Sequence, residues 1–273
     1  MKRIAFTHLA RPVVLLLLIV VGVGATTAFA TSPPVNGAYI HTRIFNDCPS
    51  STVTTSNIYP SSITIDDEHV GCLGFANLHN WSFSSDGGTS PAVFMNSDGY
   101  SFAADLVISG LSDGEAGLRV SPWWSPDVDG VFNCRTTDGE IACFGGRLPF
   151  FTFTGAFGLH YVKGTSIHLQ ITYLPNGLSM TDPATIQYTL TYGSINYTSG
   201  KLAFDEGNPA EGYGSWGELN FARVGGRLQV FLTKDMNDNT GVQAVWSNIT
   251  FDNLATPVIP TTWGHLKALY SNR

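Results

Sequence analysis

The chain has few charged residues and almost no helical periodicity. Charged residues make up 13% of its 273 positions, with 14 Lys and Arg against 21 Asp and Glu. Nucleic acids and anionic membrane surfaces attract basic proteins, so this balance argues against both as partners. The chain also lacks a phosphate-binding loop, a dinucleotide fingerprint and a nucleophile elbow in the strand–helix context that such motifs require.

The amino terminus has the features of an exported protein. Lys2, Arg3 and Arg11 precede an apolar run at residues 13–23, and an A-F-A pattern ends at Ala30. A positive start, a short apolar core and an A-x-A site predict a secretory signal peptide, residues 1–30. The alternative is an uncleaved anchor, but the run is shorter than the about 20 residues that cross a bilayer.

Cleavage would remove those three basic residues and no acid, which changes the net charge from −7 to −10. No second apolar run is long enough to span a bilayer. We therefore expect a secreted or cell-surface protein that is not an integral membrane protein after signal cleavage, with no nucleic-acid partner.

The cysteine count agrees with export. Four cysteines form an even set, which predicts disulfides in an oxidising compartment. In CRTTDGEIAC, residues 134–143, a central D-G turn would place Cys134 opposite Cys143. By elimination, Cys48 would pair with Cys72. A metal site is the alternative, but the spacings do not favour zinc.

Apolar residues alternate with polar ones along many short segments. This period of two is typical of strands with one buried face, and turn signals separate the segments. We predict an all-β fold, a two-sheet antiparallel β-sandwich. The segments that carry the pattern are Ile167–Tyr173, Ile186–Tyr192, Leu228–Leu232 and Phe102–Ile108.

We expect a single sandwich domain, residues 31–254. Residues 255–273 follow as a proline-punctuated spacer and a short helical tail. This tail either docks on the sandwich or serves as a sorting signal, and it resembles the endings of exported bacterial proteins.

One stretch combines charge and aromatic side chains. Folding Tyr100–Ser109 back on Glu115–Ser121 would pair Asp105 with Arg119 on a polar sheet face and place Glu115 near the turn. Such a pair is ordinarily structural and contributes about 0.2–1 kcal/mol. On a concave face the same three residues would hydrogen-bond sugar hydroxyls.

Trp123 and Trp124 follow this stretch in a proline-flanked segment. An exposed indole stacks on sugar rings, whereas the alternative is that both rings pack over the end of the sandwich. Asp127 and Asp129 are candidate ligands for a structural Ca²⁺, with a polar turn as the alternative. No cofactor is firmly indicated.

The segments YSFAADLVISGLSDGEAGLRVSP (residues 100–122) and AVWSNITFDNL (residues 244–254) resemble the central hairpin and closing strand of the concanavalin A-like lectin/glucanase superfamily. The resemblance implies a jelly roll that binds or degrades glycans. The chain departs from the catalytic patterns, because it has no E-x-D-x-x-E, R-x-E-x-R or Q-I-H element. The resemblance therefore transfers no catalytic residues.

The favoured hypothesis is a secreted, non-catalytic protein that binds extracellular polysaccharide or forms part of the cell surface. Its candidate contacts are Asp105, Glu115, Arg119, Trp123 and Trp124. Two alternatives stay open. One is a polysaccharide hydrolase or lyase with an acidic pair that the sequence does not identify, and the other is a purely structural envelope protein.

The signal peptide generates a direct prediction. Expression of the full chain in a bacterial host with a secretion system should release a protein that begins at Thr31. Intact mass and amino-terminal sequencing of the exported product measure this. A membrane-bound product that retains residues 1–30 would contradict the prediction.

Overall fold

The structure, a computed structural model, describes residues 32–68, 72, 76–121, 130–207, 216–218, 220–231 and 240–254. The predicted signal peptide and the predicted tail, residues 255–273, lie outside these residues. The described elements are β1 (Gly37–Asn46), β2 (Thr52–Ile58), β3 (Ser62–Glu68), β4 (Asn77–Ser84), β5 (Gly99–Ser109), β6 (Gly114–Ser121), β7 (Val131–Arg135), β8 (Ile141–Phe144), β9 (Phe151–Thr152), α1 (Phe153–Phe157), β10 (Ile167–Leu174), β11 (Thr185–Tyr192), β12 (Ile195–Ala203), β13 (Arg223–Val230) and β14 (Gly241–Leu254).

The strands form two seven-stranded antiparallel sheets. Sheet 1 has the order β1-β4-β13-β6-β7-β8-β9, and sheet 2 has the order β12-β11-β10-β5-β14-β3-β2. This is a two-sheet antiparallel jelly-roll sandwich, so the predicted fold class is confirmed. No helix among the described residues is long and apolar enough to cross a membrane.

The period of two determines which side chains enter the core. Along β10, buried and partly exposed residues alternate without interruption. Ile167, Leu169, Ile171 and Tyr173 all point into the core, as predicted. The inner faces of both sheets are apolar, and their burial stabilises the sandwich by about 25 cal/mol per Å² of apolar surface.

Two tryptophans join the sheets at the centre of the core. Trp81 of β4 and Trp246 of β14 pack edge to face, with ring centroids 6.1 Å apart. The Trp246 indole N–H donates to the Gly117 carbonyl of sheet 1 at 3.1 Å. Gly226 lies beneath both rings, and a methyl group there would collide with the Trp81 indole. A bulkier residue at this position would therefore separate the sheets.

The predicted hairpin between β5 and β6 is wrong. β5 pairs with β10 and β14 in sheet 2, whereas β6 pairs with β13 and β7 in sheet 1. The connection between β5 and β6 thus crosses from one sheet to the other. Leu106 and Leu118 are buried as expected, but they line opposite walls of the core instead of neighbouring strands.

One of the two predicted disulfides is confirmed. Cys48 and Cys72 are bonded, with Cα atoms 5.4 Å apart. Cys134 and Cys143 are buried free thiols, so their predicted bond is wrong.

The register of the β7–β8 hairpin explains the error. It sets Cys134 opposite Ile141 and Phe132 opposite Cys143. The D-G pair lies in a longer loop, in which the Arg135 N–H donates to the Glu140 carbonyl. The two thiols are therefore diagonal neighbours, and such positions are too far apart for a disulfide.

A buried polar cluster links the two sheets near the confirmed disulfide. Asp67 of β3 accepts hydrogen bonds from Asn77 Nδ2 at 2.7 Å and His79 Nε2 at 3.2 Å. The Arg43 N–H donates to His79 Nδ1, so the His79 proton resides on Nε2. The Cys48 N–H donates to Asn77 Oδ1, which ties the disulfide loop to this cluster.

We predict that the free energy of unfolding depends on the ionisation of the buried Asp67 carboxylate. Burial opposes its ionisation, but hydrogen bonds from His79, Ser51 and Asn77 outweigh burial and lower its pKa. A depressed pKa stabilises the fold above the unfolded value of about 3.9, and this stabilisation disappears as the pH falls through the folded value. Asp67→Asn should therefore lower the free energy of unfolding at pH 7 by about 1–3 kcal/mol and flatten its decline below pH 5.

Urea unfolding between pH 3 and pH 7 measures both effects. Asp66→Asn is the matched control, because burial raises the pKa of this neighbouring, partly exposed carboxyl. Parallel pH profiles for wild type and Asp67→Asn would contradict the assignment.

Candidate functional site

The outer side of sheet 1, which faces away from the core, is polar. Alternation along β4, β6, β7 and β13 directs every second side chain to this side. We call the following nine residues the polar face. They are Asn80, Ser82, Glu115, Arg119, Ser121, Asn133, Arg223, Arg227 and Gln229.

The sheet register arranges these side chains in rows across the strands. Asn80 lies opposite Arg227, Arg227 opposite Gly117, and Gly117 opposite Asn133. The next row runs from Ser82 through Gly225 to Arg119. Neighbouring strands are about 4.8 Å apart, so each row spaces its polar groups at roughly that interval.

Gly225 allows Arg119 to lie flat across the sheet. Arg119 Nη2 donates to Ser82 Oγ at 2.5 Å, two strands away, and Nη1 donates to Ser121 Oγ at 2.6 Å. Gly225 lies between the strands that carry Arg119 and Ser82, and it has no side chain to block the guanidinium. Arg119 is only 1% exposed, so its hydrogen bonds lie in a medium of low dielectric constant.

Gly117 creates the same space for a second polar group. Arg227 Nη2 lies 3.1 Å from Glu115 Oε1, and both side chains are nearly buried, at 13% and 10% exposure. Asn133 Nδ2 donates to the other carboxylate oxygen, Glu115 Oε2, at 2.8 Å. Arg227 and Asn133 therefore contact the two oxygens of the Glu115 carboxylate, and Gly117 lies between the strands that carry them.

The charge of the polar face is opposite to that of the whole chain. Its nine residues include three arginines and one carboxylate, in a chain with a net charge of −7. An arginine fork matches carboxylate oxygens in a planar, two-pronged geometry. The polar face thus brings guanidinium, amide and hydroxyl groups together on a positively charged side of sheet 1.

Seven of the nine residues of the polar face are buried, and the other two are partly exposed. Arg223 and Arg227 of β13 are partly exposed, as are Tyr39 and His41 of the adjoining edge strand β1. The rings of Tyr39 and His41 lie 6.3 Å apart, and β1 pairs His41 with Asn80.

Of the predicted contact residues that the structure describes, Asp105 is separated from Glu115 and Arg119. Glu115 and Arg119 both belong to the polar face. Asp105 does not, because β5 is in sheet 2 and directs this carboxylate to the opposite outer side of the sandwich. There it bonds His168 Nδ1 at 2.6 Å and Asn248 Nδ2 at 2.7 Å. The predicted Asp105–Arg119 ion pair is therefore wrong.

The other candidates lie outside the described residues. These are Trp123 and Trp124, the proposed stacking platform, and Asp127 and Asp129, the proposed calcium ligands. No group of three or more His, Cys, Asp or Glu residues that could hold a metal ion occurs within the described ranges. The aromatic platform and the calcium site both stay predictions.

Sequence reasoning missed most of the polar face. Arg223, Arg227 and Gln229 share one side of RVGGRLQV, and the same alternation that placed Leu228 and Val230 in the core would have revealed them. Asn80 and Ser82 likewise alternate with Trp81 and Phe83 in NWSFS, whereas the short strand VFNCR gives little sign that Asn133 faces outward.

A further buried carboxyl group lies on the core side. The Tyr100 hydroxyl donates to Glu218 Oε2, and the Glu218 N–H donates to the Tyr173 hydroxyl at 3.3 Å. Burial raises the pKa of Glu218 well above its ordinary value, and the nearby Asp98 adds to the rise. Both tyrosines belong to the core, so Glu218 is not paired with Glu115 on the polar face.

Comparison with known proteins supplies no family. No family model and no curated protein matches the chain. It is similar to the alginate lyase from Corynebacterium sp., with 9% identity and a TM-score of 0.44 over 80% of this chain and 94% of that one. Arcelin-5, a lectin-like defence protein from Phaseolus vulgaris, has 12% identity and a TM-score of 0.40 over the same shares. An alginate lyase from Aplysia kurodai has 9% identity and a TM-score of 0.40 over 74% and 87%.

We predict that the ion pair between Glu115 and Arg227 contributes measurably to the free energy of unfolding. Glu115→Gln keeps the shape and an acceptor for Asn133 but leaves the nearly buried Arg227 without its carboxylate. The free energy of unfolding should fall by about 1–3 kcal/mol.

The matched control is Glu140→Gln, which breaks the more exposed pair with Arg135. This change should cost less than about 1 kcal/mol. Urea unfolding of both variants at low and moderate salt gives the comparison. Equal losses would show that the Glu115 pair has no special role in the polar face.

Proposed function

We propose that this protein binds an acidic extracellular polysaccharide on the polar face without cleaving it. The observation that carries the proposal is a set of nine polar side chains projecting from four adjacent strands of sheet 1. Three of them are arginines, and polar neighbours hold Arg119 and Arg227 along the sheet. The jelly-roll fold fits glycan binding or degradation, and the Cys48–Cys72 disulfide fits an extracytoplasmic location.

The chemistry of these groups supports an acidic ligand. Arg223 and Arg227 are the two residues of the polar face that are not fully buried, so a sugar carboxylate would meet their guanidinium groups, although the Arg227 side chain is only 13% exposed and also pairs with Glu115. Asn80, Asn133 and Gln229 lie beside these arginines but are buried, at 0%, 3% and 7% exposure, so the arginines are the groups that a ligand would meet first. Hydrogen bonds to charged groups are about twice as strong as neutral ones, which favours an anionic over a neutral saccharide.

The single carboxylate supports binding over hydrolysis. A glycosidase ordinarily places two carboxyl groups across the scissile bond. Among the nine residues of the polar face, Glu115 is the one carboxylate, and Arg227 and Asn133 already engage both of its oxygens. A second candidate function is eliminative cleavage, which Tyr39 and His41 favour because both are proton-transfer groups at the edge of the polar face.

The test uses the predicted mature chain, residues 31–273, and a panel of soluble polysaccharides. Polygalacturonate and alginate provide uronate chains, and laminarin and dextran are neutral controls. Affinity electrophoresis should show retardation by the uronate gels alone, and 0.5 M NaCl should weaken it. Ultraviolet absorbance at 235 nm, measured in parallel, detects the unsaturated products of elimination.

The matched variants are Arg227→Ala and Lys201→Ala, which each remove one positive charge. Arg227 belongs to the polar face, whereas Lys201 is exposed on β12 of sheet 2. Arg227→Ala should weaken binding at least 10-fold, and Lys201→Ala should leave it unchanged. Equal binding by both variants would place the ligand elsewhere, absorbing products would favour the lyase, and no retention by any gel would favour a structural envelope role.

A further inference from the structure

The strand β2 forms the outer edge of sheet 2 and is exposed along its length. It pairs with β3 on one side through seven residues, from Thr52 with Glu68 to Ile58 with Ser62. Six of its seven residues are exposed, and Ile58 is 64% exposed. An edge strand presents backbone N–H and C=O groups that can pair with another strand.

β2 lacks the features that normally protect such an edge. Its sequence, TVTTSNI, contains no charged residue and no proline, and its pairing with β3 has no bulge. Threonine, valine and isoleucine favour extended strands. The backbone of β2 can therefore pair with a further strand, and no described strand occupies that side.

The other three sheet edges each carry a protective feature. β12, the opposite edge of sheet 2, contains Lys201 and an irregular register beside Gln187. β1 has an irregularity between His41 and Phe45, and β9 is only two residues long. Among the described edge strands, β2 alone is long, regular and uncharged.

We propose that β2 pairs antiparallel with β2 of a second copy of this chain, which joins two seven-stranded sheets into one continuous sheet. The two-fold axis passes through Thr55. It sets Thr52 opposite Ile58 of the second copy, and Thr54 opposite Ser56 of the second copy.

The chemistry of β2 selects a copy of itself as the partner. Antiparallel self-pairing about Thr55 brings the central residues of β2 close to the same residues of the second copy, so a charge at Thr54, Thr55 or Ser56 would lie near a like charge. The strand has none, and cross-strand pairs of threonine, serine and β-branched residues contribute about 0.2–1 kcal/mol each. The seven residues extend for about 24 Å, which supports a reversible dimer. This surface lies in sheet 2, so the proposal does not depend on polysaccharide binding by sheet 1.

The first test is the oligomeric state of the mature chain, residues 31–273. Sedimentation equilibrium at several concentrations should show a monomer and dimer in exchange. Thr54→Lys places a charge on each of two paired edges and should weaken the dimer at least 10-fold without changing the melting temperature. Thr181→Lys, in an exposed loop, is the matched control and should dimerise like wild type.

The second test locates the axis. Thr55→Cys places two thiols opposite each other across the proposed axis, at a separation that a disulfide can span. Mild oxidation should give a covalent dimer, whereas Thr181→Cys should stay monomeric on a non-reducing gel. A wild-type chain that is monomeric at all concentrations would overturn the proposal. A dimer that persists unchanged in Thr54→Lys, without cross-linking of Thr55→Cys, would also overturn it.

Discussion

The packing of two apolar sheet faces against each other is the constraint on which the rest of this structure depends. Trp81 and Trp246 meet at its centre, and Gly226 leaves the space that lets them meet. Each strand that buries alternate residues in this core must direct the residues between them outward. The polar face is thus a geometric consequence of the apolar core, because the strands that supply Leu118 and Leu228 also carry Arg119 and Arg227.

Two buried carboxyl groups have pKa values that are shifted in opposite directions. Asp67 is buried, but three hydrogen-bonding partners stabilise its charge and lower its pKa. Glu218 is equally buried and has Tyr100 as its side-chain donor, so burial dominates and raises its pKa. The set of donors around each carboxyl group, and not depth alone, therefore decides the direction in which its pKa moves. Asp67 joins the two sheets through its hydrogen bonds with Asn77 and His79, whereas Glu218 contacts Tyr100 within the core.

The two outer sides of the sandwich have different characters. Sheet 1 concentrates arginines, amides and hydroxyls over its central strands, and two glycines give those side chains room to lie along the sheet. Sheet 2 directs Asp105 and His168 outward and ends in the uncharged strand β2. A saccharide-binding role for sheet 1 and a self-association role for sheet 2 would occupy separate surfaces. A dimer joined at β2 would carry two polar faces and could bind one long polysaccharide at two points.

The alternation of residues was sufficient to predict strands, their buried sides and the two-sheet sandwich. It placed Ile167, Leu169 and Ile171 in the core, whereas the correct Cys48–Cys72 bond was reached only by elimination from a Cys134–Cys143 pair that does not form. The strands and their buried sides depend on local geometry, since successive side chains of a strand point to opposite sides.

The assignment of strands to sheets required the tertiary structure. Alternation says which side of a strand is buried, but not which distant strand pairs with it. β5 and β6 are adjacent in sequence and look like a hairpin, yet they pair with β14 and β13 in different sheets. That long-range pairing separates Asp105 from Arg119 and brings Arg227 to Glu115. Likewise, the D-G turn suggested a register that the folded hairpin does not adopt, and a shift of one strand against the other keeps Cys134 and Cys143 apart.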